Sequence, residues 1–351
     1  MNFAKLAGLM IAAGTLCASA QAAEPLTGTL QKIKDTGVIT LGVRDSSIPF
    51  NYNLGGVRQV GYSYDINMKI VEAIKDQLKL PNLQVLDAPY GEIPDLNSIP
   101  QENDVVFTWN GTTSGARIPN TDWLAEGREG VTINDATSAV FAMEMDWAKL
   151  DATTYSWQKV MGSEAQHGML ILSPKAVARI EEYDPEWPLP KLFRLKKGGK
   201  VNEGIFRGET INTPSMLATE DYIDALEWAK AMGGRKAMFE RADANAKIVL
   251  DWIEATPWLR NMVVDPAKRT NTGICMVFQG DWYDQLSDED KAGVPKKIVK
   301  LLEDRGVGYD FNGYRDAPPS LRIWCGGTVE QEDIERLLPW IEWAYETVKN
   351  G

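Results

Sequence analysis

The sequence predicts an α/β chain, and three observations predict it. Short apolar strands alternate with segments whose apolar residues recur at helical spacing. Three successive strands each set a polar group at or near their C-terminal end, at the turn holding Thr112, at Asp135 and at Lys159. The composition, 44% apolar and 25% charged, is that of a globular protein with real cores. With 351 residues the chain has room for about two domains.

The first 23 residues read as an export signal. A positive charge at Lys5 precedes an apolar core over 6–16 that is too short to span a bilayer, and "ASAQAA" before Glu24 offers small-residue cleavage sites. No other run is apolar enough to cross a membrane, so the mature chain is expected to be soluble.

Then "LQKIKDTGVITLGVRDSSIPFNY" reads as a short helix, a turn at Thr36-Gly37 and a strand over 38–43. "GGVRQVGYSYDINMKIVEAIKDQLKLP" reads as a Gly-Gly turn and a helix whose apolar stripe is Ile66, Ile70, Ile74 and Leu78. Next come "DVVFTWNGTTSGARIP", a strand ending in a polar turn, "GVTINDATSAVFA", a strand ending on Asp135, and "LDATTYSWQKVMG", a third ending on Lys159. An open, mostly parallel sheet gathers its ligands at such strand ends. The last part holds "GICMVFQ", "IVKLLEDRG" and a terminal helix, "QEDIERLLPWIEWAYETVK", with Ile334, Leu337, Leu338, Ile341 and Ala344 facing a sheet.

Charge narrows the function. Against 37 basic side chains stand 49 acidic ones, a formal net charge of −12, which opposes nucleic acid and anionic membranes as partners. The basic run "FRLKKGGK" over 193–200 reads as a solvated loop. A single histidine, His167, rules out a multi-histidine metal centre and reads as a hydrogen-bonded structural residue near the site. Cys275 and Cys325 read as buried thiols, and no metal is expected. The tryptophans at 147, 252, 258, 324, 340 and 343 read as core or domain-interface packing.

An amine in an apolar setting is costly unless it is paired or neutral, so Lys159 asks for an explanation. A lysine that condenses with a carbonyl must be unprotonated and dry, and a nearby carboxylate must keep a cofactor's ring nitrogen protonated. Lys159 and Asp135 are the residue types that pyridoxal 5'-phosphate demands, although a structural ion pair uses the same two types.

Residues 85–351, about three quarters of the chain, resemble phosphoserine aminotransferase. The resemblance rests on "APYGEIPDL", "DVVFTWNGTTSG", "DATSAVFA", "SWQKV", "AQHGMLILS", "EGIFRGETINTPSML" and "YRDAPPSLRIWCG" in that order. It implies a PLP-dependent transferase type I-like large domain with a smaller C-terminal α/β domain. It implies amino-group transfer between O-phosphoserine and 2-oxoglutarate in serine biosynthesis, by a homodimer using pyridoxal phosphate in the cytoplasm. Lys159 would be the catalytic amine and Asp135 the partner of the ring nitrogen. Thr112 would bond the ring's hydroxyl side and Gln158 the cofactor phosphate. Asn212 and Thr213 would reach a partner protomer's cofactor, Arg322 would hold the substrate α-carboxylate, and Arg315 would help with the substrate phosphate. Without the resemblance, "INTP" reads as a helix cap and Arg322 as a strand arginine paired with a surface carboxylate.

Residues 1–83 resemble a different family, the periplasmic glutamate/aspartate-type substrate-binding proteins of ABC transporters. There the "RDSSIPFNY" element, with Arg44, would help form a ligand cleft. By itself Arg44 reads as a surface arginine at a strand end. The expected organisation is thus a signal peptide over 1–23, a binding-protein-like segment over 24–84, a large-domain remnant truncated at its N-terminus over 85–260 and a small domain over 261–351. The aminotransferase's own first segment, with its Gly/Ser loop for the cofactor phosphate, its ring-stacking aromatic residue and its His-Arg element, has no counterpart in this chain. The competing expectations are a periplasmic amino-acid-binding component and a chimera with neither activity.

Overall fold

The computed structural model describes residues 28–42, 46–47, 51–54, 58–60, 62–88, 96–165, 167–185, 188–314 and 317–351. The expected leader, Arg44 and Arg315 lie outside the described residues.

The N-terminal elements are α1 (Gly28–Thr36), β1 (Val38–Gly42), β2 (Ser46–Ser47), β3 (Asn51–Leu54), β4 (Arg58–Val60), α2 (Tyr62–Leu78) and β5 (Gln84–Ala88). Strands β1 and β5 pair in parallel, and β2, β3 and β4 form a separate antiparallel ribbon. Ile33, Val71, Leu78 and Leu83 make a small core of their own. The stripe predicted on α2 is only half right: Ile66 and Ile70 are 40% and 51% exposed, while Val71 is fully buried. A strict spacing of four drifts about 40° around a helix at each step, because a turn takes 3.6 residues. Val71, Ile74 and Leu78, at spacings of three and four, stay on one face, and that face is the one buried.

A second layer is built by β6 (Val105–Thr108), β7 (Thr132–Asp135), β8 (Ala152–Ser156) and β9 (Gly168–Leu172), in that order. The first three are parallel and β9 is antiparallel, as the mostly parallel reading expects. Thr108, Asp135 and Thr154 lie in one row across the sheet, so the strand ends share an edge. The sheet is two-faced. Asn134 and Thr153 are buried towards a core that includes Trp109, Trp157 and Met238, whereas Val106, 75% exposed, and Ile133 alternate onto an open face.

Beyond β9 come α3 (Pro174–Glu182), β10 (Lys196–Lys197), β11 (Lys200–Val201), α4 (Met216–Ala231) and α5 (Gly234–Ala255). Ser173 caps α3 through Ala176 N ahead of a first-turn proline, and Ser215 caps α4 through Ala218 N. The basic run is a tight hairpin with partners: Lys196 pairs with Asp184 at 2.7 Å and Lys200 with Glu181 at 2.7 Å.

The third layer holds β12 (Leu259–Asn261), β13 (Gly273–Phe278), α6 (Asp281–Asp284), α7 (Asp288–Asp304), β14 (Ser320–Trp324) and α8 (Gln331–Asn350). The sheet is antiparallel with β13 central and all six of its residues buried. Ile298 and Leu302 of α7 and Ile334, Leu338, Ile341, Ala344 and Tyr345 of α8 pack on it. On α8 the predicted stripe is buried except for Leu337, which is half-buried. Helix α5 serves two cores, giving Met238 and Ala242 to the second layer and Val249 and Ile253 to the third. Cys275 and Cys325 are buried free thiols, as expected. Trp147 and Trp340 are exposed, contrary to the packing role predicted for them: Trp147 opens a single turn, Trp147–Lys149, with no buried residue, and Trp340 lies on the solvent side of α8, which buries its other face. Among the described residues no helix is long and apolar enough to cross a membrane.

Candidate active site

A cavity of about 410 Å³ opens at the C-terminal edge of the second layer, where it meets β14 and α8. Lys159, Gln158, Thr112 and Arg322 all line it, so four of the predicted site residues come together. The size is within the usual range for small-molecule sites.

Lys159 is not at the end of a strand, as predicted. Strand β8 stops at Ser156, and the lysine sits in the turn that follows, closed by Gly162 N donating to Lys159 O at 3.2 Å. The flanking residues explain the position. Trp157, Val160 and Met161 are buried in the second-layer core, and the Trp157 ring stacks on Tyr222 of α4 at 4.3 Å and lies 4.7 Å from the His167 ring. With its neighbours held, Lys159 projects into the cavity, its Nζ 5.7 Å from the centre of the Trp324 ring. Among the described residues no carboxylate forms an ion pair with it. Burial pulls its pKa below the ordinary lysine value, and the nearby Arg322 charge adds to this against the opposing pull of Asp310.

Arg322 comes from β14, opposite Cys275 of β13. Its side chain is 13% exposed and its guanidinium pairs with Asp310 at 2.8 Å, while Asp310 is 84% exposed. Thr112 belongs to the turn after β6, which docks on the third layer. Its carbonyl lies 3.7 Å from Cys275 Sγ, and Gly115, at φ +71°, allows the approach, since a Cβ there would stand 3.0 Å from Gly273 O. Asn110 holds the same turn by donating to Thr270 Oγ1 at 3.0 Å and Thr272 Oγ1 at 2.9 Å. The Oδ1 of Asn110 and the Oε1 of Gln158 are buried without a partner in a cavity otherwise well bonded.

Other predicted residues stand elsewhere. Asp135 is exposed on the open sheet face, and its carboxylate accepts from Thr137 N at 2.9 Å and Thr137 Oγ1 at 2.6 Å; it is not among the residues lining the Lys159 cavity. Asn212 and Thr213 are exposed in the loop before α4, away from the cavity. His167 is near the site but does not line it, and its Nε2 is buried without the hydrogen bond expected of it. Sequence reasoning missed Asp310 and Asn110 and assigned Trp324 to packing alone. Asn110 had a signal, being adjacent to the glycine turn; Asp310 had none, since its partner is twelve residues on in another element.

A pyridoxal group fits the cavity in its chemistry. The lining offers an amine whose burial disfavours its charge, a guanidinium and, in Gln158, an amide with an unsatisfied oxygen. The α8 N-terminus also lines the cavity, but it carries Glu332 and Asp333 in its first turn.

No protein-family model matches the chain. Two relatives match strongly. The phosphoserine aminotransferase of Methanosarcina mazei is 51% identical over 276 residues, 79% of this chain and 72% of the relative, and that of Methanosarcina barkeri is 52% identical over 276 residues, with the same coverage. The L-glutamate/L-aspartate-binding protein of Pseudomonas aeruginosa is 58% identical over 65 residues, 18% of this chain and 21% of its own length. Among solved structures, a phosphoserine aminotransferase of Cytophaga hutchinsonii has a TM-score of 0.60 at 16% identity, covering 91% of this chain and 81% of that one. A pyridoxal phosphate-bound phosphoserine aminotransferase from Trichomonas vaginalis has a TM-score of 0.58 at 16% identity, covering 90% and 80%. The fold is that of these aminotransferases. With a lysine, an arginine and a polar strand-end turn around one cavity, and about half of the residues identical to two Methanosarcina enzymes across an aligned stretch that spans 79% of this chain and 72% of each relative, the chain belongs to the phosphoserine aminotransferase family.

Proposed function

We propose that the chain transfers an amino group between O-phosphoserine and 2-oxoglutarate, with pyridoxal phosphate held at Lys159. The observation that carries this reading is the unpaired, half-buried Lys159 amine sharing one cavity with the guanidinium of Arg322. Pyridoxal phosphate, when bound, supplies the electron sink that lets an amino acid's α-carbon lose a proton. Lys159 Nζ, disfavoured as a cation, takes up that proton and returns it. Arg322 receives the substrate α-carboxylate in place of Asp310, whose own carboxylate is solvated and readily displaced. Gln158 and Thr112 would turn their polar groups towards the cofactor; the assignment taken from the family also names Arg315 and Asp135, Asn212 and Thr213, the last three of which lie outside the Lys159 cavity of this protomer. The domain division at residues 84 and 260 belongs to this reading.

The reading includes weak cofactor retention. Of the lining, Gln158 would hold the cofactor phosphate, while Asp333 at the α8 N-terminus brings a negative charge to the same cavity and opposes an anion there. Such a chain keeps the chemistry of its family with little affinity for the group that performs it. Adding pyridoxal phosphate to the purified chain tests this. The reading expects a visible absorbance band that Lys159→Ala abolishes, followed by 2-oxoglutarate-dependent consumption of phosphoserine. No lysine-dependent band at saturating cofactor would sink it.

A homodimer is part of the proposal. Leu192, Phe193, Phe206, Ile211, Met216 and Leu217 are all exposed, Leu217 at 79%, with Ile211, Met216 and Leu217 flanking Asn212 and Thr213 in the chain, and a second copy of this chain would cover them. Sedimentation of the wild type and of Leu217→Glu tests it, with dissociation expected in the variant. The leader-like residues 1–23 support export of the product, which fractionation of cells expressing the full chain checks.

A further inference from the structure

A second cavity of about 410 Å³ shares no residue with the first. Asn271, Arg117, Asp243 and Glu144 bring polar groups to it, and Trp109 and Met143 are among its apolar walls. Asn271 is 7% exposed. Its Nδ2 donates to Ala142 O at 2.8 Å and to Asp243 Oδ1 at 2.7 Å. Both partners only accept, so the amide cannot be turned over, and Oδ1 is the atom left without a partner on a side chain that lines the cavity. That oxygen is buried without a hydrogen bond.

Arg117 is its complement. Its backbone is fixed by N donating to Lys268 O at 2.8 Å, and its Nε is buried with no acceptor. Although three carboxylates line the same cavity, among the described residues none forms an ion pair with its guanidinium. A buried amide oxygen wants a donor and the buried Nε of a guanidinium wants an acceptor, which a carboxylate supplies, and leaving both unmet is costly. One small molecule carries both answers.

We propose that this cavity is a binding site for a free zwitterionic amino acid with an aliphatic side chain. The ligand's ammonium is taken by Asn271 Oδ1 and the Asp243 carboxylate, its carboxylate by Arg117, and its side chain by the wall of Trp109, Ile118 and Met143. Glu144 and Asp146 stand exposed at the site and add to the negative field that favours an ammonium over a second anion. Neither a simple amine nor a simple carboxylate satisfies both orphans.

L-Leucine is the probe, titrated by calorimetry into the full chain carrying Lys159→Ala, with 4-methylpentanoate and isoamylamine as matched molecules lacking one charge each. Saturable binding of leucine alone is expected. Arg117→Gln and Asn271→Ala should each weaken it at least about ten-fold, as loss of a charged hydrogen bond does, while Arg322→Gln leaves it unchanged. Because Asn271→Ala also removes the bonds to Ala142 and Asp243, methyl NMR of the unsubstituted chain supplies a second reading, in which leucine should move the Met143 methyl signal. Absence of saturation up to about 10 mM, which corresponds to less than 3 kcal/mol of binding, overturns the proposal. So does an unmoved Met143 signal, or binding that survives Arg117→Gln and is lost with Arg322→Gln, which would put the ligand in the Lys159 cavity.

Discussion

Lys159 is held against its own preference. Its pKa is depressed in the fold, so between the folded value and the ordinary 10.5 the unfolded chain binds more protons than the native one. Stability therefore rises with pH through that window, and below it the full penalty of burying a cation remains. Lys159→Met, which keeps the length and removes the charge, is expected to raise the melting temperature at neutral pH, the gain shrinking as pH climbs towards 10.5; scanning fluorimetry across pH checks it. Asp310 is the opposite case. Its carboxylate occupies Arg322 from a solvated position, so Asp310→Asn should cost under about 1 kcal/mol of stability while strengthening capture of a carboxylate substrate, read as a fall in KM. The sequence disclosed Lys159, Gln158, Thr112 and Arg322 because each lies inside a contiguous motif. It disclosed nothing of the Asp310 contact, which depends on a left-handed residue at φ +61° and on where β14 begins.

Elements are tied by polar knots as well as by cores, and Asp151, just ahead of β8, ties β7 to α3. It accepts from Thr132 N in β7 at 2.9 Å and from Ser173 Oγ, the α3 cap, at 2.7 Å, and it lies 3.2 Å from Lys175 Nζ in α3. Burial pushes its pKa up, but the bonds from Ser173, Thr132 and Lys175 together outweigh this and hold it below the ordinary carboxylate value. The stability it contributes is present above that ordinary value and is lost as pH falls through the folded one. Asp151→Asn should cost about 1–3 kcal/mol at pH 7 and much less at pH 3, measured by urea titration at both. At this scale the sequence was legible where the apolar period is regular: the α8 stripe, the end of β7 on Asp135 and the mostly parallel order of the sheet were predicted. It misled on α2, where a spacing of four looked like a stripe and Val71 was overlooked. It misled again at Lys159, where Trp157, Val160 and Met161 look like strand and are in fact a buried turn. Apolar runs report burial before they report conformation.

At the scale of the molecule the described residues form one small core and two large ones. The small core of Ile33, Val71, Leu78 and Leu83 shares no residue with the others, whereas α5 joins the second and third layers into one folding unit. Deleting residues 1–84 should therefore leave the main calorimetric transition at its midpoint, and a shift of several degrees would show that the segment braces the rest. The two ancestries were readable because each carries long motifs in order, but how the segments cooperate was not, since packing across a join leaves no local pattern. The open face of the second layer has one more consequence. Strand β6 ends its sheet among the described residues, with Val106 outward and its backbone groups available along that edge. Such a border is a template for another strand, so heated or concentrated chains should stick to one another edge to edge. Turbidity that grows with protein concentration, and a Val106→Lys change that delays it, would mark β6 as the place where clumping begins.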